Sequence, residues 1–365
     1  MYSFEPSEEQ KMLIDSVGRF AANDLRPAAR AWDESAGLPR AVLRKGWELG
    51  LLQASIPEAY GGFGDRSAVT GALAAETLAY GDLAAAFALG TPGLFALPIL
   101  LGGSEAQKQQ YLPGISGGDW QPFTAALVEY NYDFDPRSLH ATAELQGDHY
   151  VLNGEKAFVP YAAEAPALLV SASAGGASQG FIVPGGAPGL SISTEREKLM
   201  GVRAFPLYRL RLQDVAVPVA NRLGGAAGHD FDIVLASMRI AQAAAAVGVA
   251  KAAFEYSRDY AKEREAFGVK IAQKQAIAFM LAEMGTELEA SRLLTWQAAW
   301  ELDAYKAEAC NDAYMAATGA MDMAMMVSDR AVQILGGHGY IREHPVEMWM
   351  RNARGFASFT GLTIV

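Results

Sequence analysis

The sequence predicts an α+β multidomain fold: an N-terminal α-helical domain over 1–120, a central all-β barrel or sandwich over 121–225, and a C-terminal four-helix bundle over 226–365. Apolar residues recur at helical spacing in the first and last parts of the chain, whereas short apolar runs punctuated by Gly, Pro, Asn and Asp fill the middle. The composition changes after Gly117 and Gly118. At 365 residues the chain exceeds the usual single-core size, so cooperating units are expected.

Each element follows from local pattern. Ser7 followed by Gln10 is a capping-box signature, and Met12, Leu13, Val17 and Phe20 then fall on one helical face. "IPEAYGGFGD", Ile56 to Asp65, is a turn-rich loop; without the Lys and Ser/Thr of a phosphate-binding loop, a plain turn is the better reading. Leu73 to Leu101 carries long apolar helices interrupted by "TPG" at Thr91 to Gly93. The runs "HATAEL", "HYVLNG", "ALLVSAS", "GFIVPGG", "LSIST" and "YRLRLQDVAV" are strands of a β-insert. Helical period resumes at Phe231, and Ile277, Met280, Leu281, Met284 and Leu288 mark one helix face. A comparable pattern from Asn311 to Leu335 completes the signature of a bundle.

Hydrophobic residues make up 51% and charged residues 19%, which suits extensive buried surface and excludes disorder. A net charge of -11 argues against nucleic acid or an anionic membrane surface as partner, although a local basic pocket could still hold a phosphate. Cys310 alone allows no internal disulfide and fits a reducing cytoplasm. The acidic, polar start "MYSFEPSEEQ" is neither a signal nor a transit peptide. No apolar run is long enough to cross a bilayer, since Gln242 and Lys251 break the Ala-rich stretch from Ile240 to Ala253. A soluble, cytoplasmic protein is expected.

Several motifs have ordinary readings when taken alone. In "YAKEREAFGVKIAQKQ", Arg264 in a last helical turn with Gly268 beyond it is normal helix termination, with glycine in a left-handed cap. "QILGGHGY", Gln333 to Tyr340, reads equally as a cap and turn or as backbone that a ligand can approach closely. His338 and His344 match no compact zinc spacing, so no metal is expected. The five histidines accompany no serine-nucleophile motif, and Met321, Met323, Met325 and Met326 suit core filling.

Taken together, "IPEAYGG", "EKAFV", "EREAFG" followed by Gln275, "QILGGHGY" and "PVEMWMRNAR", in this order over essentially the whole chain, resemble the acyl-CoA dehydrogenase family. The resemblance implies FAD as cofactor, a dimer of dimers, and removal of hydrogens from Cα and Cβ of an acyl thioester. It also implies an electron-transfer flavoprotein as acceptor. Such chemistry needs a carboxylate beside Cα to take a weakly acidic proton, usually with its pKa raised by burial. The family places that acid in an aromatic-Glu-Gly-Thr pattern near the end, and here Phe359, Thr360, Gly361 and Leu362 stand there. Thr360, at the base position, is not a competent base without an activating group. In some relatives the acid precedes an arginine in the helix leading into the bundle, where this chain has Met238 and Arg239. Arg239 is a candidate substrate contact. Gly361 occupies the position of a third known variant.

The β-region departs from the family pattern as well. Val128 replaces a threonine that faces the flavin ring, Phe134 a serine near the thioester, and Phe158, Val159 and Pro160 stand for Trp-Ile-Thr. By contrast Arg264, Phe267, Gln275, Gln333, Gly336 and Gly337 keep the half-site that, in the family, reaches across the dimer to hold the ADP end of the neighbour's FAD. Arginine suits the pyrophosphate through its fixed, permanently charged fork, and glycine admits backbone. The leading expectation is a base-lacking partner subunit of a heteromeric, heterotetrameric acyl-CoA dehydrogenase of fatty acid or sterol side-chain degradation, sharing FAD with a second acyl-CoA dehydrogenase chain. Two alternatives stay open. One is a self-sufficient dehydrogenase using Glu129, Asp133 or Asp135 as base, although loop-capping is the preferred reading of these carboxylates. The other is a flavoprotein of the same fold with lyase or oxygenase chemistry.

Overall fold

The computed structural model describes residues 5–365. The N-terminal part is helical: α1 (Glu8–Phe20), α2 (Ala29–Ser35), α3 (Arg40–Trp47), α4 (Ala68–Gly81), α5 (Leu83–Gly90), α6 (Gly93–Gly102) and α7 (Glu105–Ser116). The capping box opens α1, with the Ser7 hydroxyl accepting from Gln10 N and the Gln10 side chain accepting from Ser7 N. Val17 and Phe20 are buried, but Met12 is 64% exposed, so the buried face of α1 is narrower than the apolar pattern suggests. The Thr91 to Gly93 break bends α5 against α6 by 48°.

The central part is one mixed sheet, open as a half-barrel. Its strands are β1 (Thr124–Ala126), β2 (Thr142–Gln146), β3 (His149–Pro160), β4 (Ala167–Ala174), β5 (Ala177–Pro184), β6 (Leu190–Ile192) and β7 (Leu207–Pro218). Their order is β1-β4-β2-β3-β7-β6, with β5 also on β4. β1 and β2 meet β4 in parallel, and every other pair is antiparallel. Alternating inward residues such as Leu152, Val170, Phe181 and Leu210 fill the concave core.

The last part consists of α8 (Phe231–Glu263), the hairpin β8 (Glu265–Ala266) and β9 (Val269–Lys270), α9 (Gln275–Asp303), α10 (Ala309–Leu335), α11 (Gly337–Tyr340) and α12 (Val346–Arg354). Three long helices, α8, α9 and α10, and the shorter α12 packed against α10 and α8 make the bundle; Gly336 and Pro345 break the chain after α10, and α12 is nine residues long. From the N-terminal domain, α4 packs along α8. By length and composition α8 could cross a membrane, contrary to the expectation from sequence, yet 89% of its apolar window is buried inside the protein. Its run Ala243, Ala244, Ala245 and Ala246 lets neighbouring helices approach closely.

Two features tie the parts together. Arg351 on α12 donates to Asp33 on α2 at 2.7 Å, to Glu347, and to the Met200 carbonyl of the β-domain at 2.8 Å. The segment Leu362–Val365 is buried within the N-terminal helices, where Arg66 donates to the Val365 carbonyl at 2.7 Å and Ser237 also bonds it.

Candidate functional site

The residues singled out in the sequence separate into two places. The first is one end of the bundle. Because α8, α9 and α10 run alternately up and down, the end of α8, the start of α9 and the end of α10 converge there. Arg264 caps α8, its amide donating to the Tyr260 carbonyl at 2.8 Å. Its guanidinium is exposed and has no ion-pair partner among the described residues. Gly268 does not cap the helix. It sits with Phe267 in the turn of the β8–β9 hairpin, at φ 80° and 55°, and a two-residue turn with both φ positive is the hairpin turn that asks for glycine. Phe267 is 94% exposed, with the Lys274 ammonium 5.8 Å from its ring. Gln275 opens α9, Gln333 lies in the last turn of α10, and both are exposed. Gly336, at φ 58°, and Gly337 follow, and a Cβ on either would meet open space.

An exposed cation, an exposed ring, two amides and a bare glycine turn therefore share one surface. This set fits the ADP end of FAD: a fixed guanidinium for pyrophosphate, amides for hydrogen bonding, and backbone that a ligand can approach.

The second place is the junction of the three parts. β3 carries a bulge between Lys156 and Val159, and Phe158 there has φ 52°. Tyr161 and Val202 also take positive φ, so strained backbone concentrates at this junction. Phe158, Met200, Gly201, Arg351, Arg354 and Phe359 border a cleft of about 180 Å³. Behind it aromatic rings interlock: Phe87 lies edge-on to Phe359 with centroids 5.5 Å apart, Phe205 contacts Phe87 at 5.7 Å, and Tyr161 joins Trp120 at 5.1 Å. Val128 is buried with its carbonyl taken by Ala157 N, and Pro160 is buried in its strand pair with Leu207. Val128, Phe158 and Pro160 offer no side-chain hydrogen-bond donor to a flavin ring, so the ring end of FAD does not fit them as the ADP end fits the bundle.

The candidate carboxylates are already engaged. Glu129 accepts from Lys156 Nζ at 2.7 Å, from His140 N at 2.8 Å and from Ala141 N at 2.9 Å. Burial raises its pKa, but Lys156 and the bonds outweigh that and hold it low, the opposite of what a base for a carbon acid needs. Burial in turn pushes the Lys156 ammonium down, against the pull of Glu129. Asp133 accepts from Asn131, and Asp135 from Arg137 N, both as exposed turn caps. Met238 is buried in an apolar cluster with Leu127, Ile364 and Leu94. Phe134 packs against that same cluster. Gly361 presses on Leu127, and Thr360 beside it is half-buried. Arg239 lies elsewhere on α8, its guanidinium 4.8 Å from the Tyr314 ring, and its pKa is lowered by burial and then by Arg137.

Sequence reasoning missed the aromatic junction, whose members share no period, and the Arg351 tie. The motif "MWMRNAR" held the signal for the latter: charged residues on an amphipathic turn in a mainly apolar region.

Comparison with known proteins covers the whole chain. Models of the acyl-CoA dehydrogenase N-terminal, middle and C-terminal domains match residues 7–119, 124–215 and 232–363. Cyclohex-1-ene-1-carbonyl-CoA dehydrogenase of Syntrophus aciditrophicus (strain SB) is 36% identical, covering 98% of this chain and 87% of its own. The butyryl-CoA dehydrogenase structure from Megasphaera elsdenii is 31% identical with a TM-score of 0.89, covering 100% of this chain and 96% of its own. A glutaryl-CoA dehydrogenase from Mycobacterium smegmatis, solved in complex with FADH2, is 25% identical with a TM-score of 0.85, covering 98% and 92%.

Proposed function

We propose, for a chain that belongs to the acyl-CoA dehydrogenase family, the role of a base-lacking partner subunit in a heteromeric enzyme. Family and fold support FAD-dependent dehydrogenation of an acyl-CoA. The finer reading is that this chain lends its bundle end to an FAD whose ring and catalytic carboxylate belong to a second acyl-CoA dehydrogenase chain. When bound, FAD supplies the hydride acceptor of the reaction.

What this chain's own residues do then follows. Arg264 holds pyrophosphate, Phe267 and the Gln275 and Gln333 amides frame the adenosine side, and Gly336 and Gly337 give backbone access. None of Thr360, Gly361 and Met238 can take a proton from Cα, and Glu129 is held by Lys156 and two backbone amides. One observation carries the reading: the residues for the ADP end are exposed, with Arg264 in no ion pair among the described residues, whereas Val128, Phe158 and Pro160 offer no side-chain hydrogen bond and the candidate carboxylates are already engaged. A heterotetramer working in the cytoplasm, passing electrons to an electron-transfer flavoprotein, completes the proposal.

The test is the visible spectrum of the chain purified alone, followed by anaerobic addition of acyl-CoAs. The expected result is a colourless protein that gains flavin and activity only with a second chain. Bound flavin that bleaches with an acyl-CoA would show that this chain carries its own base.

A further inference from the structure

Beneath the exposed bundle end lies a cluster that the function above does not use. Tyr260 OH and His338 Nδ1 are 2.7 Å apart, as are Tyr256 OH and His344 Nδ1. The two imidazoles stack with centroids 5.4 Å apart and planes 30° apart. Tyr256 also meets Trp349 edge-on, and the Arg26 guanidinium is held between the Tyr80 and Trp349 rings. Arg30 donates to the His344 carbonyl at 3.0 Å and bonds Glu347. Gly339, between the two histidines in sequence, sits where a Cβ would meet the Val332 carbonyl oxygen at 2.3 Å, so α11 lies directly on the backbone of α10.

This arrangement couples the two sides of the exposed surface. The Tyr260 carbonyl accepts from Arg264 N, one helical turn on, while the Tyr260 hydroxyl reaches the residue next to Gly337. A phenol and an imidazole form a good bond when the hydroxyl donates and an unprotonated Nδ1 accepts. The exposed glycines have no side chains to hold their own place, so their position relative to Arg264 must be set from below.

We propose that Tyr260 and His338, backed by the Tyr256–His344 pair, are positioning residues that fix the Gly336–Gly337 turn in register with Arg264. This rests on the reading of the bundle end as the ADP half-site. Tyr260 donates to His338 Nδ1, and His344 stacks behind to hold the ring plane. The half-site is thereby preorganised before any cofactor arrives, which spares the ordering cost that a loose glycine loop would add to binding.

The experiment strips flavin from the co-purified complex of this chain with its second acyl-CoA dehydrogenase chain, titrates FAD back and follows flavin fluorescence anisotropy, comparing wild type with Arg264→Ala, Tyr260→Phe, His338→Phe and His338→Asn in this chain. Asparagine can place an acceptor near the position of Nδ1, whereas phenylalanine keeps only the ring. Tyr260→Phe and His338→Phe should each weaken FAD binding about tenfold, and His338→Asn should restore most of it. In nitrogen NMR of the wild type, His338 Nδ1 should appear as the unprotonated acceptor and shift in Tyr260→Phe. If the wild-type complex fails to take FAD back, or the Arg264→Ala complex binds it as well as wild type, the half-site reading itself fails. If Arg264→Ala weakens binding while Tyr260→Phe does not, the half-site stands and the clamp is overturned. Asparagine behaving like phenylalanine at 338 would also overturn it, since the hydrogen bond would then not be the working element.

Discussion

The bundle end and the domain junction differ in what their side chains face. At the bundle end Arg264, Phe267, Gln275 and Gln333 point away from the chain, and the glycine turn beside them is bare. At the junction the side chains face one another: Phe87 meets Phe359 and Phe205, Glu129 meets Lys156, and Arg351 meets Asp33 and Glu347. One region is built with unmet bonding capacity and the other has spent its own on stability. Side chains engaged with one another at one place and polar groups left exposed at another coexist in one fold, because folding stability draws on the first and does not need the second to be covered.

The contrast breaks first if the junction pair is not structural. Lys156 is fully buried, so Lys156→Met, which strands Glu129 without its cation, should destabilise the protein by about 3–5 kcal/mol in urea unfolding. Adding Glu129→Leu should recover only part, since the amides of His140 and Ala141 lose their acceptor. A Lys156→Met protein as stable as wild type would leave Glu129 free for other work.

At the bundle end the expected effect falls on binding instead. Arg264→Ala should lower FAD retention in the co-purified complex about tenfold or more, while thermal stability moves by only about 0.5 kcal/mol. Unchanged flavin content would count against the assignment.

A smaller effect sharpens the buried side. Asp82 caps α5 by accepting from Ala85 N, and burial, with Asp33 nearby, pushes its pKa from 3.8 up to about 7. Between those values the folded protein holds a proton that the unfolded chain has lost, so this group's contribution to stability falls as pH rises through the window. Asp82→Asn keeps the cap and has no charge to bury. It should be more stable than wild type by about 1 kcal/mol above the window, with the difference vanishing as pH falls toward its lower end; chemical unfolding at several pH values reads this directly.

The smallest expected effect is none. Thr360→Glu places a carboxylate beside Gly361, which packs against Leu127, yet Val128 and Phe158 still offer no side-chain hydrogen bond to a flavin ring. Dye reduction with acyl-CoA should stay at background, and measurable turnover would show that the junction is less filled than its aromatic packing indicates.

Much of this was legible in the sequence because it is periodic or local. Helical spacing located the bundle, Gly and Pro punctuation located the β-region, and the bundle-end residues meet because an antiparallel helix series brings its turns together. Gly268 was misread because a helix cap and a hairpin turn both ask for glycine at positive φ, and only the pairing of Glu265 with Lys270 decides between them. Glu129 stayed open as a base because Lys156 lies 27 residues away, and no spacing rule links a loop to the bulge of a later strand. The junction rings come from five separate stretches between Phe87 and Phe359, so nothing local announces that they touch.

The burial of Leu362–Val365 among α4, α6 and α8 has a consequence for how the chain comes to its fold. Helices that end by residue 102 receive part of their interior from residues made more than 250 positions later, with Arg66 and Ser237 waiting for the Val365 carbonyl. During synthesis the helical domain therefore leaves the ribosome with an open apolar seam. Until those last residues arrive, that seam is exposed apolar surface of the kind chaperones cover.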